Sequence, residues 1–560
     1  MPTTQITARA VTTSYEGRTV LEGVTCALAA GERTGIVGEN GSGKTTLLRL
    51  LAGHQTPDEG EIVLHAEGGV GHLAQEEPLP PELTVQQVID QALSELHALE
   101  ERLRGLEAAM AGGDEAALRA YGELLTLFEL RGGYEAGARV ERALHGLGLT
   151  KLPRDRTVGH LSGGELVRLR LAALLAADPE VLLLDEPTNH LDDAALTWLE
   201  DHLRTRRGTT VAVSHDRTFL ERVATTLLEV DGDRHQVVRY GNGYAGYLHG
   251  KAAARLRWAE EHERWRAETA RLREAAATTA RRVAPGRAMK DGNKMAYDRA
   301  AGRVQQSLAS RVRSAEERLR RLLADPVPAP PEPLRFTPSP RTGTADGAER
   351  RDEAVIEAEG VTIEGRLGRT DLTLKAGERL LVTGANGAGK TTLLRALAGE
   401  LRPDTGRIVR RGRVGLLAQE PGPGRAGAGA TLLEAFGHGR TGTGEEHAER
   451  LLALGLFTRD RFAVRVGNLS TGQRQRLALA RLLTEPADAL LLDEPSNHLS
   501  PALVEELEAA LETYEGALVV VSHDRLLRHR WRGAHRELTR ADPDPDPGTV
   551  RAMTRRSTWN

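Results

Sequence analysis

The sequence contains little cysteine and lacks long apolar runs. Cys26 is the single cysteine among 560 residues, which excludes a disulfide framework and any cysteine-ligated zinc or iron–sulfur centre and is typical of a reducing compartment. No run of about 18 apolar residues is long enough to span a bilayer, and the first residues lack the apolar core of a signal peptide. We therefore expect a cytoplasmic protein with no membrane segment.

Strong net charge is also absent, since the chain carries −4 at pH 7. This balance alone predicts no polyanionic partner, but the charge is distributed unevenly. Residues 250–323 hold 19 lysines and arginines against 9 aspartates and glutamates. One segment is therefore strongly basic, and the length of the chain indicates several domains.

The chain contains an internal repeat. The segment GENGSGKTTLLRLLAG (38–53) returns as GANGAGKTTLLRALAG (384–399), an offset of 346 residues. Three later pairs share an offset of 308: LSGGE with LSTGQ, VLLLDEPTNHL with ALLLDEPSNHL, and VSHDR with its own copy. Gln75 and Gln419 are offset by 344, so the first copy holds about 36 additional residues between this glutamine and LSGGE. An insertion is thereby located in the first copy.

The inserted residues, about 84–130, carry apolar side chains at helical spacing, which predicts a helical arm broken at Gly112-Gly113. The alternative is an ordinary helical subdomain of slightly larger size. This arm would belong to a first domain over 1–245, and the second domain would cover 353–540.

Between the copies, residues 246–334 predict a helical hairpin. Its first helix would cover 247–280 and its second 297–323, because both runs are rich in Ala, Arg and Glu. A tip at about 281–299 contains Pro285, Gly286 and Gly292, and each arm would extend roughly 40 to 50 Å. The composition predicts a flexible connector over 335–352 and a disordered tail over 541–560.

Each copy has a GxxxxGKT loop after an apolar strand and before a helix, the arrangement that binds nucleotide phosphates. Its glycines let backbone N–H groups approach the phosphates, and the helix N-terminus adds positive potential. Lys44 and Lys390 would contact the β- and γ-phosphates of ATP, and Thr45 and Thr391 would hold Mg²⁺. The loop residues expected to bind ATP are Gly38, Asn40, Gly41, Gly43, Lys44, Thr45 and Thr46 in the first copy, and Gly384, Asn386, Gly387, Gly389, Lys390, Thr391 and Thr392 in the second.

Two acids end each LLLDE run. A continuous apolar run predicts a buried parallel strand that delivers its last residues to the carboxyl edge of a sheet. Asp185 and Asp493 suit a Mg²⁺ shell, and Glu186 and Glu494 suit the base that orients an attacking water. The alternative, that these acids only cap the next helix, is weakened by the P-loops.

The combination of P-loop, glutamine, LSGGE, LLLDEP, NHLD and Ser-His-Asp resembles the ATP-binding-cassette family over nearly the whole chain outside the central hairpin. The resemblance implies an α/β fold with two P-loop ATPase domains that enclose two Mg-ATP molecules and hydrolyse them. It also implies that Ser162, Gly163 and Gly164 complete the ATP on Lys390, and that Ser470 and Gly472 complete the ATP on Lys44. It implies further that Gln75 and Gln419 serve Mg²⁺, and that His215 and His523 are the family's switch histidines.

The two copies are not equivalent. Tyr15 stands where the family places an aromatic residue on adenine, and the corresponding stretch of the second copy has no aromatic residue. Asp192 is replaced by Ser500, and LSTGQ has one glycine where LSGGE has two, with Thr471 in the position of Gly163. We therefore predict two ATP sites with unequal rates of hydrolysis or release.

The absence of membrane segments, the fused cassettes and the basic hairpin together resemble the ABC-F group, and the hairpin is similar to that of antibiotic-resistance proteins from actinomycete drug producers. The resemblance implies that the ATP-bound chain, a monomer, binds the bacterial 70S ribosome, contacting large-subunit rRNA and peptidyl-tRNA. The hairpin would reach toward the peptidyl-transferase centre and dislodge an antibiotic, and hydrolysis would release the protein. No membrane or DNA partner is expected.

Positive charge around the tip suits RNA phosphates, and its methionines and tyrosine add apolar or stacking groups. The residues expected to contact RNA are Arg281, Arg282, Arg287, Met289, Lys290, Lys294, Tyr297, Arg299 and Arg303. A solvated, salt-bridged helix pair is the alternative for the flanks. Alternative functions are a general translation factor of the same fold, the soluble ATPase subunit of a drug exporter, and a DNA-repair ATPase.

Overall fold

The computed structural model describes residues 4–15, 17–74, 79–111, 115–282, 310, 313–338, 353–422, 424 and 426–539. The chain divides into two compact units. The first contains Met1–Leu248, Leu334–Arg440 and Ala463–Asn560, and therefore both copies of the repeat, which we call the first and second cassettes. The second contains His249–Pro333 and Thr441–Phe462. Within the described ranges, no helix combines the length and the apolar character needed to cross a bilayer.

The first cassette is built on two sheets. Its strands are β1 (Thr4–Tyr15), β2 (Arg18–Ala29), β3 (Arg33–Gly38), β4 (Glu59–Leu64), β5 (Val70–Leu73), β6 (Val181–Asp185), β7 (Thr209–Val213), β8 (Thr226–Asp231) and β9 (Gln236–Tyr240). An antiparallel sheet has the order β2-β1-β4, and the central sheet has the order β5-β6-β7-β3-β8-β9, parallel except for β9. Every residue of β6 is buried. Its side chains alternate between two hydrophobic clusters, which explains the continuous apolar run.

Helices cover the faces of the central sheet and extend the cassette. They are α1 (Lys44–Leu51), α2 (Val85–Ala92), α3 (Ser94–Ala111), α4 (Glu115–Leu130), α5 (Ala136–Gly146), α6 (Gly163–Ala177), α7 (Asp193–Thr205), α8 (Arg217–Val223) and α9 (Gly243–Arg282). Ser162 begins α6 with a capping box, in which its hydroxyl accepts from the Glu165 N–H and the Glu165 carboxylate accepts from the Ser162 N–H. Ser162 therefore also defines where the helix after LSGGE starts. We call LSGGE the first signature and LSTGQ the second signature.

The inserted residues are helical. α3 and α4 pack against each other, with Leu99 and Leu103 of α3 buried in the same cluster as Leu124 and Phe128 of α4. The predicted break at residues 112–113 lies outside the described residues. Between Gln419 and LSTGQ the described residues of the second copy hold two short α-helices, α11 (Leu432–Gly437) in the first unit and α12 (Gly444–Ala453) in the second unit. The arm is therefore a feature of the first cassette.

The second cassette repeats the architecture. Its strands are β10 (Ala354–Ile363), β11 (Leu367–Lys375), β12 (Arg379–Gly384), β13 (Thr405–Arg410), β14 (Val414–Leu417), β15 (Ala489–Asp493), β16 (Ala517–Val521) and β17 (Ala534–Leu538). The described sheets have the orders β11-β10-β13 and β14-β15-β16-β12-β17. The remaining helices are α10 (Lys390–Ala398), α13 (Thr471–Thr484), α14 (Pro501–Glu512) and α15 (Arg525–Arg530). β6 and β15 thus occupy equivalent central positions, one strand from the edge.

The second unit contains most of α9, which is about 60 Å long at 1.5 Å per residue. α9 begins four residues before the predicted Tyr247. Two tryptophans of α9 hydrogen-bond to the chain that returns after the tip. Trp258 Nε1 donates to the Pro328 carbonyl at 2.9 Å, and Trp265 Nε1 donates to the Leu322 carbonyl at 2.9 Å. The returning helix is described over 313–324. The predicted tip beyond residue 282 lies outside the described residues.

The predicted connector is wrong at its first residues. Phe336 is buried and its ring lies 5.6 Å from that of Tyr514, and the Thr337 N–H donates to the Leu483 carbonyl at 3.0 Å. These contacts fix 335–338 on the second cassette, because a buried aromatic ring outweighs the Pro-rich composition of its neighbours. The remainder of the connector to residue 352, and the tail beyond residue 539, lie outside the described residues.

Candidate active site

The two P-loops hold their lysines in the same way. Lys44 Nζ donates to the carbonyls of Gly38 and Glu39 at 2.9 and 2.8 Å. Lys390 Nζ donates to the carbonyls of Gly384 and Ala385 at 2.7 and 3.1 Å. Each loop ends at a glycine with positive φ, Gly43 and its counterpart Gly389, that begins the following helix. A chain conformed in this way presents backbone N–H groups and an ammonium group to a phosphate.

The aspartates at the ends of β6 and β15 have the chemistry of a cation site. Both carboxylate oxygens of Asp185 are buried and have no hydrogen-bond partner among the described residues. The same is true of Oδ1 of Asp493. Burial raises the pKa of Asp185, opposed by the nearby Thr45 and Lys44. Buried carboxylate oxygens beside a threonine hydroxyl suit Mg²⁺, which keeps some ligands from phosphates and water. Among the described residues there is no group of three or more His, Cys, Asp and Glu side chains that could hold a metal ion.

Each glutamate after these aspartates faces a histidine. Glu186 has φ 49°, so its backbone is left-handed, and His215 Nε2 lies 3.3 Å from its Oε1. Burial raises the pKa of Glu186 to about 7, opposed by Lys44. Burial also lowers the pKa of His215 to about 3, with Lys44 and His498 adding to the effect. His215 is therefore neutral at pH 7 and can hydrogen-bond a carboxylate or a phosphate oxygen.

The second pair differs in its exposure. Glu494 also has φ 49°, and the His523 N–H donates to its Oε2 at 3.0 Å. Burial raises the pKa of Glu494 to about 7 and lowers the pKa of His523. The His523 side chain is 55% exposed, whereas that of His215 is 29% exposed. The second site is thus the more open of the two.

A cavity of about 500 Å³ lies at the first P-loop, and both cassettes line it. From the first cassette come Tyr15, Val20, Asn40, Gly41, Gly43, Lys44, Thr45, Thr46, Asp185, Glu186, Asn189, Val213 and His215, and from the second come Asn497 and His498. Asn40 hydrogen-bonds to the His498 ring. The second signature also lies here, since a Cβ at Gly41 would be 3.7 Å from Ser470 Cβ and a Cβ at Gly472 would be 3.8 Å from the Asn40 nitrogen.

The structure does not bring the first signature against the second P-loop in the same way. A Cβ added at Gly163 or at Gly387 would meet no atom within 4 Å, and one at Gly164 would meet only the His190 side chain of its own cassette. Gln419 lies two residues beyond β14 and is exposed. Gln75 lies outside the described residues, as do the tip residues from Arg287 to Arg303, and nothing is described of the side chains of Arg281 and Arg282 at the end of α9.

The sequence did not predict the contacts that join the cassettes. Arg217 of the first cassette binds three acids of the second: Nη1 lies 2.9 Å from Glu505, Nη2 lies 2.9 Å from Asp524, and Nη2 also contacts Glu508. Arg525 of the second cassette reciprocally binds Asp216 at 2.9 Å and contacts Glu200. We call these contacts the arginine clasp. In the sequence, the only indication of the arginine clasp is that Arg217 and Arg525 share the 308-residue offset. An offset shows that two residues are equivalent, and it does not show what they contact.

Comparisons with known proteins agree with this geometry. The family model described as "ABC transporter" matches residues 21–189 and 367–497. The chain is 53% identical over 545 residues to the tylosin resistance ATP-binding protein TlrC of Streptomyces fradiae, covering 96% of this chain and 98% of that protein. It is 32% identical over 522 residues to the energy-dependent translational throttle protein EttA of Escherichia coli (strain K12), covering 91% of this chain and 87% of that protein. The chain belongs to the ABC-F family.

This ABC-F protein is an ATPase with two cassettes of the same α/β fold. Its two cassettes differ in the aromatic residue beside the P-loop. Tyr15 lines the first cavity, is 43% exposed, and donates its hydroxyl to Gln55 Oε1 at 2.6 Å. In the second cassette the stretch between β10 and β11 has no aromatic residue. An exposed ring fixed by a hydrogen bond is a suitable stacking surface for a base.

Replacing Tyr15 by alanine is expected to weaken ATP binding at the first site about 5- to 150-fold, because stacking of a base on an aromatic ring is worth about 1–3 kcal/mol. Titration with a fluorescent ATP analogue should show one weakened and one unchanged site. Tyr134→Ala is the matched control, since Tyr134 is 74% exposed and packs on Phe128. Equal weakening at both sites, or none, would contradict the assignment.

Proposed function

We propose that this ABC-F ATPase protects the bacterial 70S ribosome from an antibiotic that binds the large subunit. The observation that carries the proposal is the 53% identity, over 96% of the chain, to a protein named for tylosin resistance. The ATP-bound protein binds the ribosome, and its hairpin reaches along the peptidyl-tRNA toward the peptidyl-transferase centre, where it dislodges the drug. Hydrolysis of ATP then opens the cassettes and releases the protein.

Within this proposal the first site uses residues of both cassettes. Lys44 and the P-loop amides hold the phosphates, Tyr15 stacks on the adenine, and Ser470 with Gly472 contacts the γ-phosphate from the other side. Thr45, Asp185 and Gln75 would hold Mg²⁺, which neutralises charge on the β- and γ-phosphates. Glu186 orients the attacking water, and neutral His215 hydrogen-bonds the γ-phosphate. The second-site counterparts are Lys390, Thr391, Gln419, Asp493, Glu494 and His523, with Ser162, Gly163 and Gly164 contributed by the first cassette.

The charge of the hairpin supports an RNA partner. α9 carries nine lysines and arginines against five glutamates, and some of these form pairs within the helix, such as Arg264–Glu260 at 3.2 Å and Arg271–Glu268 at 2.9 Å. Such pairs contribute little to stability and leave little net field. The sequence from 283 to 303 instead contains Arg287, Lys290, Lys294, Arg299 and Arg303 against two aspartates. Basic charge that suits RNA phosphates therefore extends along α9 into the tip, where only two acids accompany it.

The test is cell-free translation in the presence of macrolides, lincosamides and streptogramins, with the protein added in excess. The wild-type chain is expected to restore synthesis with at least one drug class. A variant in which residues 283–297 are replaced by a short Gly-Ser linker is expected to lose this rescue, because the segment that reaches the drug site is gone. Co-sedimentation with ribosomes in ATP is measured in parallel, to test that the variant still binds the ribosome.

The control variant removes charge from the flank instead of the tip, Glu260→Ala with Arg264→Ala, and should rescue as the wild type does. Absence of rescue with every drug class, or full rescue by the tip variant, would overturn the proposal. A general translation factor is the second candidate, favoured by the 32% identity to EttA over 91% of the chain. That function predicts an effect on synthesis without any drug.

A further inference from the structure

Besides the arginine clasp, one arginine joins the cassettes directly at the first ATP site. Arg476 lies on α13, the helix that begins after Ser470, and is only 7% exposed. Its Nη2 lies 2.6 Å from Glu39 Oε2, and its Nη1 lies 3.2 Å from Asp233 Oδ2. Glu39 is in the first P-loop and Asp233 is in the turn between β8 and β9. We call this pair of contacts the Arg476 bridge.

Both acids of the bridge belong to the wall of the first P-loop. The Glu39 carbonyl accepts from Lys44 Nζ at 2.8 Å, so the position of Glu39 helps to fix the phosphate-binding lysine. The turn that carries Asp233 packs on the loop, since a Cβ at the neighbouring Gly232 would lie 2.9 Å from Ser42 Cα. A guanidinium that binds both acids therefore ties the second signature to the whole first loop.

The second site has the arginine but not the acids. Arg168 occupies the position of Arg476 in the first signature helix, and its Nε donates to the Gly164 carbonyl of its own helix at 3.3 Å. The second P-loop has Ala385 where the first has Glu39. Strand pairing aligns Val230 with Leu538, so the sequence position equivalent to Asp233 is Ala541, outside the described residues. The chain therefore encodes the acidic half of the bridge at one site only.

We propose that Arg476 is a positioning residue for ATP hydrolysis, which holds the first site closed through Glu39 and Asp233, so that the second site opens first in each cycle. Arg476 is not among the residues that line the cavity at the first P-loop. It acts by keeping Ser470 and Gly472 in register with Asn40 and Gly41. This inference concerns the isolated ATPase and is independent of the proposed ribosomal function.

The test measures release of labelled ATP from the full chain carrying Glu186→Gln and Glu494→Gln, so that hydrolysis does not interfere. Release is expected to be biphasic, with a slow phase from the first site. Arg476→Ala and Glu39→Ala should each accelerate the slow phase at least about tenfold, because removing one partner of a largely desolvated charge pair acts mainly on dissociation. The fast phase should be unchanged.

The reciprocal variant installs the missing acid. Ala385→Glu gives the second P-loop the carboxylate that the first has at Glu39, and we expect it to slow the fast phase by binding Arg168 when the first signature closes on that loop. Exchanging the charges, Glu39→Arg with Arg476→Glu, should restore part of the slow phase that either single change abolishes, which a merely structural role would not do. Arg474→Ala is the control, because Arg474 donates to Leu469 and Thr471 within its own cassette. An unchanged slow phase in Arg476→Ala, with unaltered thermal unfolding, would overturn the proposal.

Discussion

Replacing Glu186 and Glu494 together by glutamine is expected to lower ATP hydrolysis by a factor on the order of 10²–10⁴, the usual contribution of a positioned acid–base group. Each glutamate follows the aspartate that ends a central strand, and burial raises the pKa of each to about 7. A carboxyl with this pKa can exchange a proton with water near neutral pH. Glutamine keeps the size and the hydrogen bonds to the histidine but accepts no proton, so ATP should bind and remain.

The double variant separates binding from turnover. Phosphate release should fall while titration with an ATP analogue stays close to wild type, and the variant should co-sediment with ribosomes in ATP. Glu61→Gln is a suitable control. Glu61 is an exposed acid that pairs with Arg9 at 2.9 Å, and it does not line the cavity at the first P-loop. Loss of ATP binding in the double variant would show that the glutamates hold nucleotide and do not activate water. Failure to co-sediment would count against the ribosomal proposal alone.

The single variants should differ from each other. The first cavity is lined on one side by Asn497 and His498 of the second cassette, whereas the second P-loop is open at Gly387. Glu186→Gln and Glu494→Gln therefore remove catalysis from sites with different closure, and their residual rates should be unequal. Equal residual rates would contradict the asymmetry that Tyr15 and Asp192 already indicated in the sequence.

The P-loops, the acids and the inserted arm could be predicted because each rests on local sequence. A GxxxxGKT loop determines its own backbone path, and a run such as VLLLD is apolar at every residue because β6 is buried on both faces. The offsets of 308 and 344 residues locate the arm from the amino-acid sequence alone. These features need no knowledge of how the two cassettes meet.

Contacts between the cassettes could not be predicted in the same way. The repeat pairs Arg476 with Arg168 as equivalents, but only the folded chain places Arg476 beside Glu39. The hydrogen bonds from the indole N–H groups of Trp258 and Trp265 to backbone carbonyls after the tip were also not predicted. In an exposed helix rich in Arg and Glu, the sequence does not indicate which side chains face a neighbouring segment. The composition of the Pro-rich stretch also gave a wrong prediction at Phe336, because the burial of this one ring fixes residues 335–338 on the second cassette.

The arginine clasp should contribute more to stability than any other ion pair described above. Arg217 is 2% exposed and is surrounded by Glu505, Glu508 and Asp524 of the other cassette. Removing Arg217 leaves three partly buried carboxylates facing each other, with only the half-exposed Arg530 to compensate the two glutamates. Breaking a buried pair in this way costs about 3–5 kcal/mol, whereas an exposed pair costs about 0–1 kcal/mol.

We therefore expect Arg217→Ala to lower the free energy of unfolding by about 3–5 kcal/mol in urea denaturation at pH 8. The matched control is Arg530→Ala. Arg530 binds the same two glutamates, Glu505 at 2.8 Å and Glu508 at 3.3 Å, but its side chain is 48% exposed. Its loss should therefore cost about 1 kcal/mol or less. The same acids thus report on a buried and on an exposed arginine.

The pH dependence gives a second, independent reading of the same variant. Burial raises the pKa of Glu508, and Arg217 opposes this effect. Without Arg217 the pKa of Glu508 in the folded state rises further above its unfolded value, so the folded state takes up a proton more readily than the unfolded state. The penalty is then present at pH 8 and is relieved as pH falls and the carboxyl becomes protonated. The stability deficit of Arg217→Ala should accordingly shrink between pH 8 and pH 5, and that of Arg530→Ala should change little. A deficit that is independent of pH would show that Arg217 stabilises the cassettes by packing and not by its charge.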